Sequence, residues 1–148
     1  MAMTYPTILK LNSEQEYKDH WKQHYCQGEI CTFDGIQVRF KIRDFDHAFF
    51  ESIHKKDDTF SLKRAERIDW IKAALKDQSS EKFVGYDSTK KRYDPTRRVT
   101  IVMGNYVVII ALKKNNTANF ISAFVADTPG RKGRPSTIEK IRSGQKWT

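Results

Sequence analysis

The chain has 148 residues, of which 39% are hydrophobic and 12% aromatic, enough for one folded domain and too apolar for a disordered protein. Its longest apolar run, Tyr106 to Leu112, is followed at once by lysines and is far shorter than a membrane span. No basic segment precedes a long apolar block near the start, so the sequence predicts no signal peptide, no membrane partner and a cytoplasmic location. Only Cys26 and Cys31 are present, and we expect free thiols in that compartment.

The positive charge is concentrated in the second half of the chain. The net charge is +9, and from Lys82 onward there are 14 basic and 4 acidic residues. The residues before Lys82 carry 13 basic and 14 acidic side chains, so they are nearly balanced. This asymmetry predicts a polyanionic partner, with nucleic acid the first choice and a merely well-solvated surface the alternative.

The first elements in chain order are a helix and a hairpin. Ser13, with Glu16 at capping-box spacing, predicts a helix that ends near Gly28. The dipeptide Asp34-Gly35 then predicts a two-residue hairpin turn. Residues Ile36 to Arg43 alternate between apolar and polar side chains, which predicts a half-buried strand with a basic outer face.

Two further helices are predicted before the chain turns to strands. Asp46 is placed to cap a short helix that carries His47. Ser61 begins the strongest amphipathic pattern in the chain, with an apolar stripe that ends at Leu75. We expect this second segment to form one continuous helix.

The remaining pattern predicts antiparallel strands. They run from Phe83 to Tyr86, Val99 to Met103, Tyr106 to Leu112 and Ala118 to Ala126, with turns at Gly104-Asn105 and Asn115-Asn116 and a polar connection from Asp87 to Pro95. In the last strand Phe120, Ser122 and Phe124 should share one face. The predicted fold is α+β: N-terminal helices and a small hairpin, then a four-stranded antiparallel meander with helices packed on one face and the other free for a ligand. Residues 1–127 would form this single domain, and residues 128–148 a basic, flexible tail with one short helix.

Several stretches resemble a known family when taken in this order. They are DHAFFES (46–52), RAERIDWIKAAL (64–75), YDPTRRVTIVMGNYVVIIAL (93–112) and NFISAFVAD (119–127). Over residues 29 to 127 the chain resembles the phage-type branch of the barnase–EndoU–colicin–RelE-like nucleases. The resemblance implies a metal-independent, toxin-like endoribonuclease of mobile elements. It also implies RNA such as tRNA as a partner, an immunity or antitoxin protein as a further partner, and no cofactor.

The resemblance also implies positions for the active residues. They are a histidine in the first helical part, an arginine at the start of the main helix, and a hydroxyl residue and an aromatic on the last strand. These fall on His47, Arg64 or Arg67, Ser122 and Phe124. The family more often has a tyrosine at the position of Phe124, and this difference favours an alternative, a non-catalytic RNA- or protein-binding module on the same fold.

Metal-free RNA cleavage needs a base, an acid and a cation at the phosphate, and these residue types supply them. His47 suits the proton transfers, although a buried histidine bonded to a backbone carbonyl is the structural alternative. Arg64 and Arg67 are three residues apart on a predicted helix and suit one phosphate, unless they pair with nearby carboxylates. Ser122 would line the site or fill the core, and His54 is a weaker candidate for proton transfer.

A second group of cations is predicted to contact the nucleic acid backbone. Basic residues interleaved with an aromatic suit phosphate neutralisation together with base stacking, although a charged hairpin loop has the same composition. The candidates are Lys90, Lys91, Arg92, Arg97 and Arg98 around Tyr93, with Lys113 a weaker one at the end of the central strand.

Other functions find less support in the sequence. Histidine and cysteine are both zinc ligands, and the N-terminal part of the chain has His20, His24, Cys26 and Cys31. The two cysteines lack the CxxC spacing of a zinc site, so we predict no metal. A DNA-binding protein of the helix-turn-helix type would need a second helix after a tight turn, and none is predicted. Nucleotide-binding and protease motifs are absent as well.

Overall fold

The computed structural model describes residues 7–51, 53–55, 58–87, 92–126 and 141–142, with backbone alone for 85–87 and 92–98. The helices are α1 (Glu14–Trp21), α2 (Asp44–Phe49), α3 (Leu62–Ala65) and α4 (Ile68–Lys76), and a π-helical turn, Lys22–Cys26, extends α1. The strands are β1 (Ile30–Cys31), β2 (Gln37–Arg39), β3 (Phe50–Glu51), β4 (Thr59–Phe60), β5 (Glu81–Asp87), β6 (Arg92–Met103), β7 (Tyr106–Lys113) and β8 (Thr117–Val125). No helix in these ranges has the length and hydropathy needed to cross a membrane.

The predicted α+β class is confirmed, but the predicted four-stranded meander is wrong because the sheet has six strands. Its order is β1-β2-β8-β7-β6-β5, with a separate two-stranded sheet of β3 and β4. The small hairpin of β1 and β2, which we expected to be separate from the meander, belongs to the same sheet. Residues Gln37–Arg39 of β2 pair in parallel with Thr117–Asn119 of β8. All other pairings in the two sheets are antiparallel.

The start of α1 agrees with the prediction. The Ser13 hydroxyl accepts a hydrogen bond from the Glu16 amide at 3.2 Å, as an N-cap does. The Glu16 carboxylate accepts from the amide of Asn12 at 2.7 Å, one residue earlier than in a standard capping box. The π-helical turn that follows α1 was not predicted.

The hairpin turn and the strand after it differ from the prediction. The Thr32 amide donates to the Ile36 carbonyl at 2.8 Å, so three residues form the loop, and Gly35 has the positive φ of 88° that such a loop needs. The following strand ends at Arg39 because Asp44 accepts from the Lys41 amide and turns the chain into α2. Ile42, expected on the buried face, is 61% exposed as a result.

The helix predicted after Ser61 is split into α3 and α4. Ser61 caps α3 as expected, since its hydroxyl accepts from the Arg64 amide at 3.3 Å. Arg67 then leaves helical geometry, with φ −99° and ψ 18°, and α4 begins at the next residue. The polar connection predicted from Asp87 to Pro95 is partly strand, because residues 92–94 pair with 85–87.

The main core lies between the helices and one face of the sheet. Trp21 is fully buried, stacks on Tyr25 at 4.9 Å and meets Phe40 edge-on at 5.3 Å. Its indole nitrogen donates to the Lys41 carbonyl at 2.9 Å, so the polar N–H of the buried ring has a hydrogen-bond partner. The buried strand residues on this side are Ile30, Val38, Val99, Ile101, Met103, Tyr106, Val108, Ile110, Ala118, Phe120 and Ala123.

The second face of the sheet is not open across its centre, contrary to the prediction. Val102 and Val107 on this face are fully buried and form a second cluster with Phe83 and Ala126. Ile141, which belongs to the predicted tail, packs against this cluster. The adjacent Arg142 donates to the Glu81 carboxylate at 3.1 Å and to the Gly104 carbonyl at 2.8 Å, which fixes the segment over the strands.

Candidate functional site

An open pocket of about 520 Å³ lies between α2, β3, α3 and the last strand. Strand β8 pairs with β2 only through residues 117–119, and α2 also packs against β8. The pocket therefore opens at an edge of the sheet and not across its face. Its polar side chains are His47, Glu51, Arg64 and Ser122, and its apolar ones are Phe50, Ile53 and Phe124.

Helix α2 presents His47 to solvent because its apolar residues form the buried face. Phe45, Ala48 and Phe49 are each no more than 2% exposed. His47 lies on the opposite side, in the last turn of the helix, and is exposed. The buried histidine considered as an alternative is thus wrong, and the imidazole can reach a ligand in the pocket.

Arg64 is fixed where the two-stranded sheet begins. Its Nη1 donates to the carbonyl of Phe50 at 3.0 Å, and its Nε lies 3.9 Å from Oε1 of Glu51. The Ser61 amide donates to the Phe49 carbonyl at 2.8 Å, which ties the start of α3 to the end of α2. The Arg64 side chain is about a third exposed and lines the pocket, so an anion that enters from solvent can reach it.

A β-bulge turns Ser122 towards the pocket. Ile110 pairs with Phe120 but Ile109 pairs with Ser122, so Ile121 is an extra residue on β8. Phe120 therefore lies in the main core, whereas Ser122 and Phe124 lie on the other side. The prediction that these three share a face is wrong, because simple alternation does not continue through a bulge.

One carboxylate binds the described residues 53–55 between β3 and β4. Asp58 accepts hydrogen bonds from the amides of Ile53, His54 and Lys55 at 2.9, 2.9 and 3.0 Å, and from the Thr59 hydroxyl at 3.0 Å. These hydrogen bonds lower the pKa of the Asp58 carboxyl to about 2, and the bond from the Ile53 amide has the largest effect. Ile53 is thereby held at the pocket with 59% of its surface exposed.

Among the predicted site residues, His47, Arg64 and Ser122 line the same pocket and Arg67 does not. The Arg67 guanidinium lies over the Trp70 ring at 5.1 Å and donates to the Lys63 carbonyl at 2.7 Å. Lys113 is exposed at the far end of β7 and does not line the pocket. Lys90 and Lys91 lie outside the described residues, as do the side chains of Arg92, Arg97 and Arg98.

Sequence reasoning did not find Glu51, Phe50 and Ile53. Glu51 stands four residues after His47, a spacing that suggests a shared helical face. The helix ends at Phe49, however, and Glu51 lies on β3, from which it lines the same pocket as His47. Nothing in the sequence marks Ile53, because its position depends on the loop fixed by Asp58.

The residues considered for zinc are arranged differently. His20 Nε2 lies 2.8 Å from Oδ1 of Asp69, and its ring lies tilted against that of His24 at a centroid distance of 4.3 Å. Cys26 and Cys31 are free and half-buried, and burial raises the pKa of the Cys26 thiol. Within the described parts of the chain, no three His, Cys, Asp or Glu side chains are grouped as metal ligands.

Comparisons with protein-family models, with curated proteins and with solved structures found no match to this chain.

Proposed function

We propose that the protein is a metal-independent endoribonuclease and that the pocket at the edge of β8 is its active site. The observation that carries the proposal is that one imidazole, one guanidinium and one carboxylate, from His47, Arg64 and Glu51, line one open pocket. Cleavage of RNA by its own 2′-hydroxyl requires a base, an acid and a cation at the phosphate, and these three groups can supply them. The resemblance to the phage-type nucleases supports the same assignment for His47, Arg64 and Ser122.

In this mechanism the 2′-oxygen attacks the adjacent phosphorus and the bond to the 5′-oxygen breaks. The Glu51 carboxylate accepts the proton of the 2′-hydroxyl, since an ionised carboxylate is only an acceptor. His47, as an imidazolium, gives a proton to the leaving 5′-oxygen, and the products are a 2′,3′-cyclic phosphate and a 5′-hydroxyl. Arg64 donates to the phosphate oxygens as charge develops there, and the Ser122 hydroxyl orients the phosphate.

The experiment is incubation of the purified protein with total RNA and tRNA in excess EDTA, with analysis of the product ends. We expect cleavage that leaves 2′,3′-cyclic phosphates, and we expect His47→Ala to slow it by at least about 100-fold, the usual range for loss of a general acid. The matched control is His24→Ala, because His24 is also exposed but lies in the π-helical turn after α1 and does not line the pocket. That variant should cleave at the wild-type rate.

Each outcome decides between two candidate functions. Intact RNA over a wide range of wild-type protein concentrations would remove the enzyme assignment. Binding of RNA without cleavage would instead support the non-catalytic module, which the phenylalanine at position 124 favours because it lacks the hydroxyl of a tyrosine. Equal rates for His47→Ala and wild type would remove His47 from the mechanism.

A further inference from the structure

The apolar half of the pocket lining has no part in the proposed chemistry. Phe50 and Phe124 are half-buried, and Ile53 is 59% exposed. Together these three side chains form one partly exposed apolar surface in the pocket, and the Ile53 amide donates to the Asp58 carboxylate at 2.9 Å, which holds the backbone of Ile53 in place. An apolar surface maintained beside a charged one is typical of a ligand site.

The apolar side chains of the pocket and the cation beside them match a nucleotide, which has an apolar base and a charged phosphate. Base faces are flat and apolar, and they stack on aromatic and aliphatic side chains, whereas the phosphate beside them needs a cation such as Arg64. A volume of about 520 Å³ lies within the range of small-ligand pockets. In a duplex the base faces are covered by their neighbours, so the site requires an unstacked base.

We propose that the pocket binds one unstacked base of single-stranded RNA against Phe50, Ile53 and Phe124, and that Asp58 positions Ile53 for this contact. The proposal rests on the proposed function for its choice of RNA. It adds that the enzyme acts on unpaired regions, because the base must leave its stack to enter the pocket. Asp58 touches no substrate in this scheme and acts through the turn at residues 53–55.

The test measures base binding separately from cleavage. The probe is a fluorescein-labelled six-nucleotide oligodeoxynucleotide of mixed sequence, which lacks the attacking 2′-hydroxyl. Its reference is an abasic oligomer with the same number of phosphates. Fluorescence anisotropy at one fixed salt concentration gives the ratio of the two Kd values, which reports the bases alone. For the wild type we expect binding of the base-containing probe to be about tenfold tighter, the effect of one stacked base.

The variant Ile53→Ser should reduce this ratio towards one and leave the affinity for the abasic oligomer unchanged. Its matched control is Ile42→Ser, since Ile42 is 61% exposed and lies outside the pocket. Because both side chains are exposed, both variants should fold, which circular dichroism checks. A ratio unaffected by Ile53→Ser, or lowered equally by Ile42→Ser, would overturn the contact with Ile53.

The positioning role of Asp58 has its own readout. Asp58→Ala should lower the ratio as far as Ile53→Ser does, and the double variant should lower it no further, because the two residues act through one contact. Additive losses, or an unchanged ratio in Asp58→Ala, would contradict this role.

The wild-type result separates this proposal from the proposed function. A ratio of one from a protein that cleaves RNA would overturn the base site and leave the nuclease standing. A ratio of about ten from a protein that cleaves no RNA would leave the base site standing and overturn the nuclease.

Discussion

Arg64 and Arg67 are three residues apart, yet the structure gives them different surroundings. On one continuous helix they would be neighbours, and the sequence offers no means of choosing between them. The chain leaves helical geometry at Arg67, and its guanidinium then lies over Trp70 while that of Arg64 lines the pocket. The break between α3 and α4 therefore decides which arginine lines the pocket.

The two arginines give a paired prediction. Arg64→Ala should lower kcat/KM for RNA cleavage by about 100-fold or more, as loss of a donor to a developing anion does. Arg67→Ala should leave kcat/KM close to wild type, because its guanidinium serves the fold. Initial rates on one short labelled RNA measure both. The reverse order of effects would move the proposed phosphate contact to Arg67.

Asp58 predicts a titration at unusually low pH. Its pKa is lowered to about 2, so the bonds from the Ile53, His54 and Lys55 amides are fully present above the ordinary aspartate value of about 3.9 and are lost as pH falls through 2. NMR chemical shifts of these three amides should therefore change together, with a midpoint near 2. Asp58→Asn should remove that transition, and a wild-type midpoint near 4 would contradict the bonding.

The π-helical turn is joined to α4 by a hydroxyl. Tyr25 donates to the Ile68 carbonyl at 2.5 Å and accepts from the Lys72 amide at 3.3 Å. Burial, the nearby Asp69 and other groups raise the pKa of Tyr25 well above its ordinary value, so the hydroxyl keeps its proton. The wider turn brings the ring to α4, a contact that the sequence pattern of this segment did not indicate.

Tyr25→Phe should therefore destabilise the protein by about 1–3 kcal/mol, because it leaves buried backbone groups without this partner. The matched control is Tyr106→Phe, since Tyr106 is equally buried but its hydroxyl reaches the Arg67 carbonyl only at 3.4 Å. The control should cost less. Urea unfolding at neutral pH measures the free energy of unfolding of both variants. Equal losses of stability would contradict the role of the Tyr25 hydroxyl in joining the π-helical turn to α4.

The sequence pattern predicts the structure correctly where a feature depends on residues close in the chain. It fails where the feature depends on contacts between residues far apart in the chain. The caps at Ser13 and Ser61 were predicted because each depends on residues within one turn. The bulge at Ile121 was not, because it depends on how β8 fits β7 and α2. The family resemblance implied His47, Arg64 or Arg67, and Ser122 as site residues. Glu51 and Ile53 enter the pocket lining only through the three-dimensional path of the chain after α2.

The charge of the whole molecule predicts how RNA binding depends on salt. With a net charge of +9, most binding energy should come from phosphates whose counterions are released. The logarithm of the association constant for the six-nucleotide probe should fall linearly with the logarithm of the KCl concentration, by about 0.7 per phosphate neutralised. Arg64→Ala should reduce the slope by about 0.7. Affinity independent of salt would contradict a backbone-binding role.

The parallel contact of β2 with β8 has a consequence for the order of events during synthesis. Gln37 finds its partner only when Thr117 has left the ribosome, and Ser122 and Phe124 emerge later still. Nascent chains shorter than this lack one wall of the pocket, whatever helices they have already formed. If the pocket is the active site, as proposed, chains that end before β8 lack part of it, and we expect them not to cleave RNA.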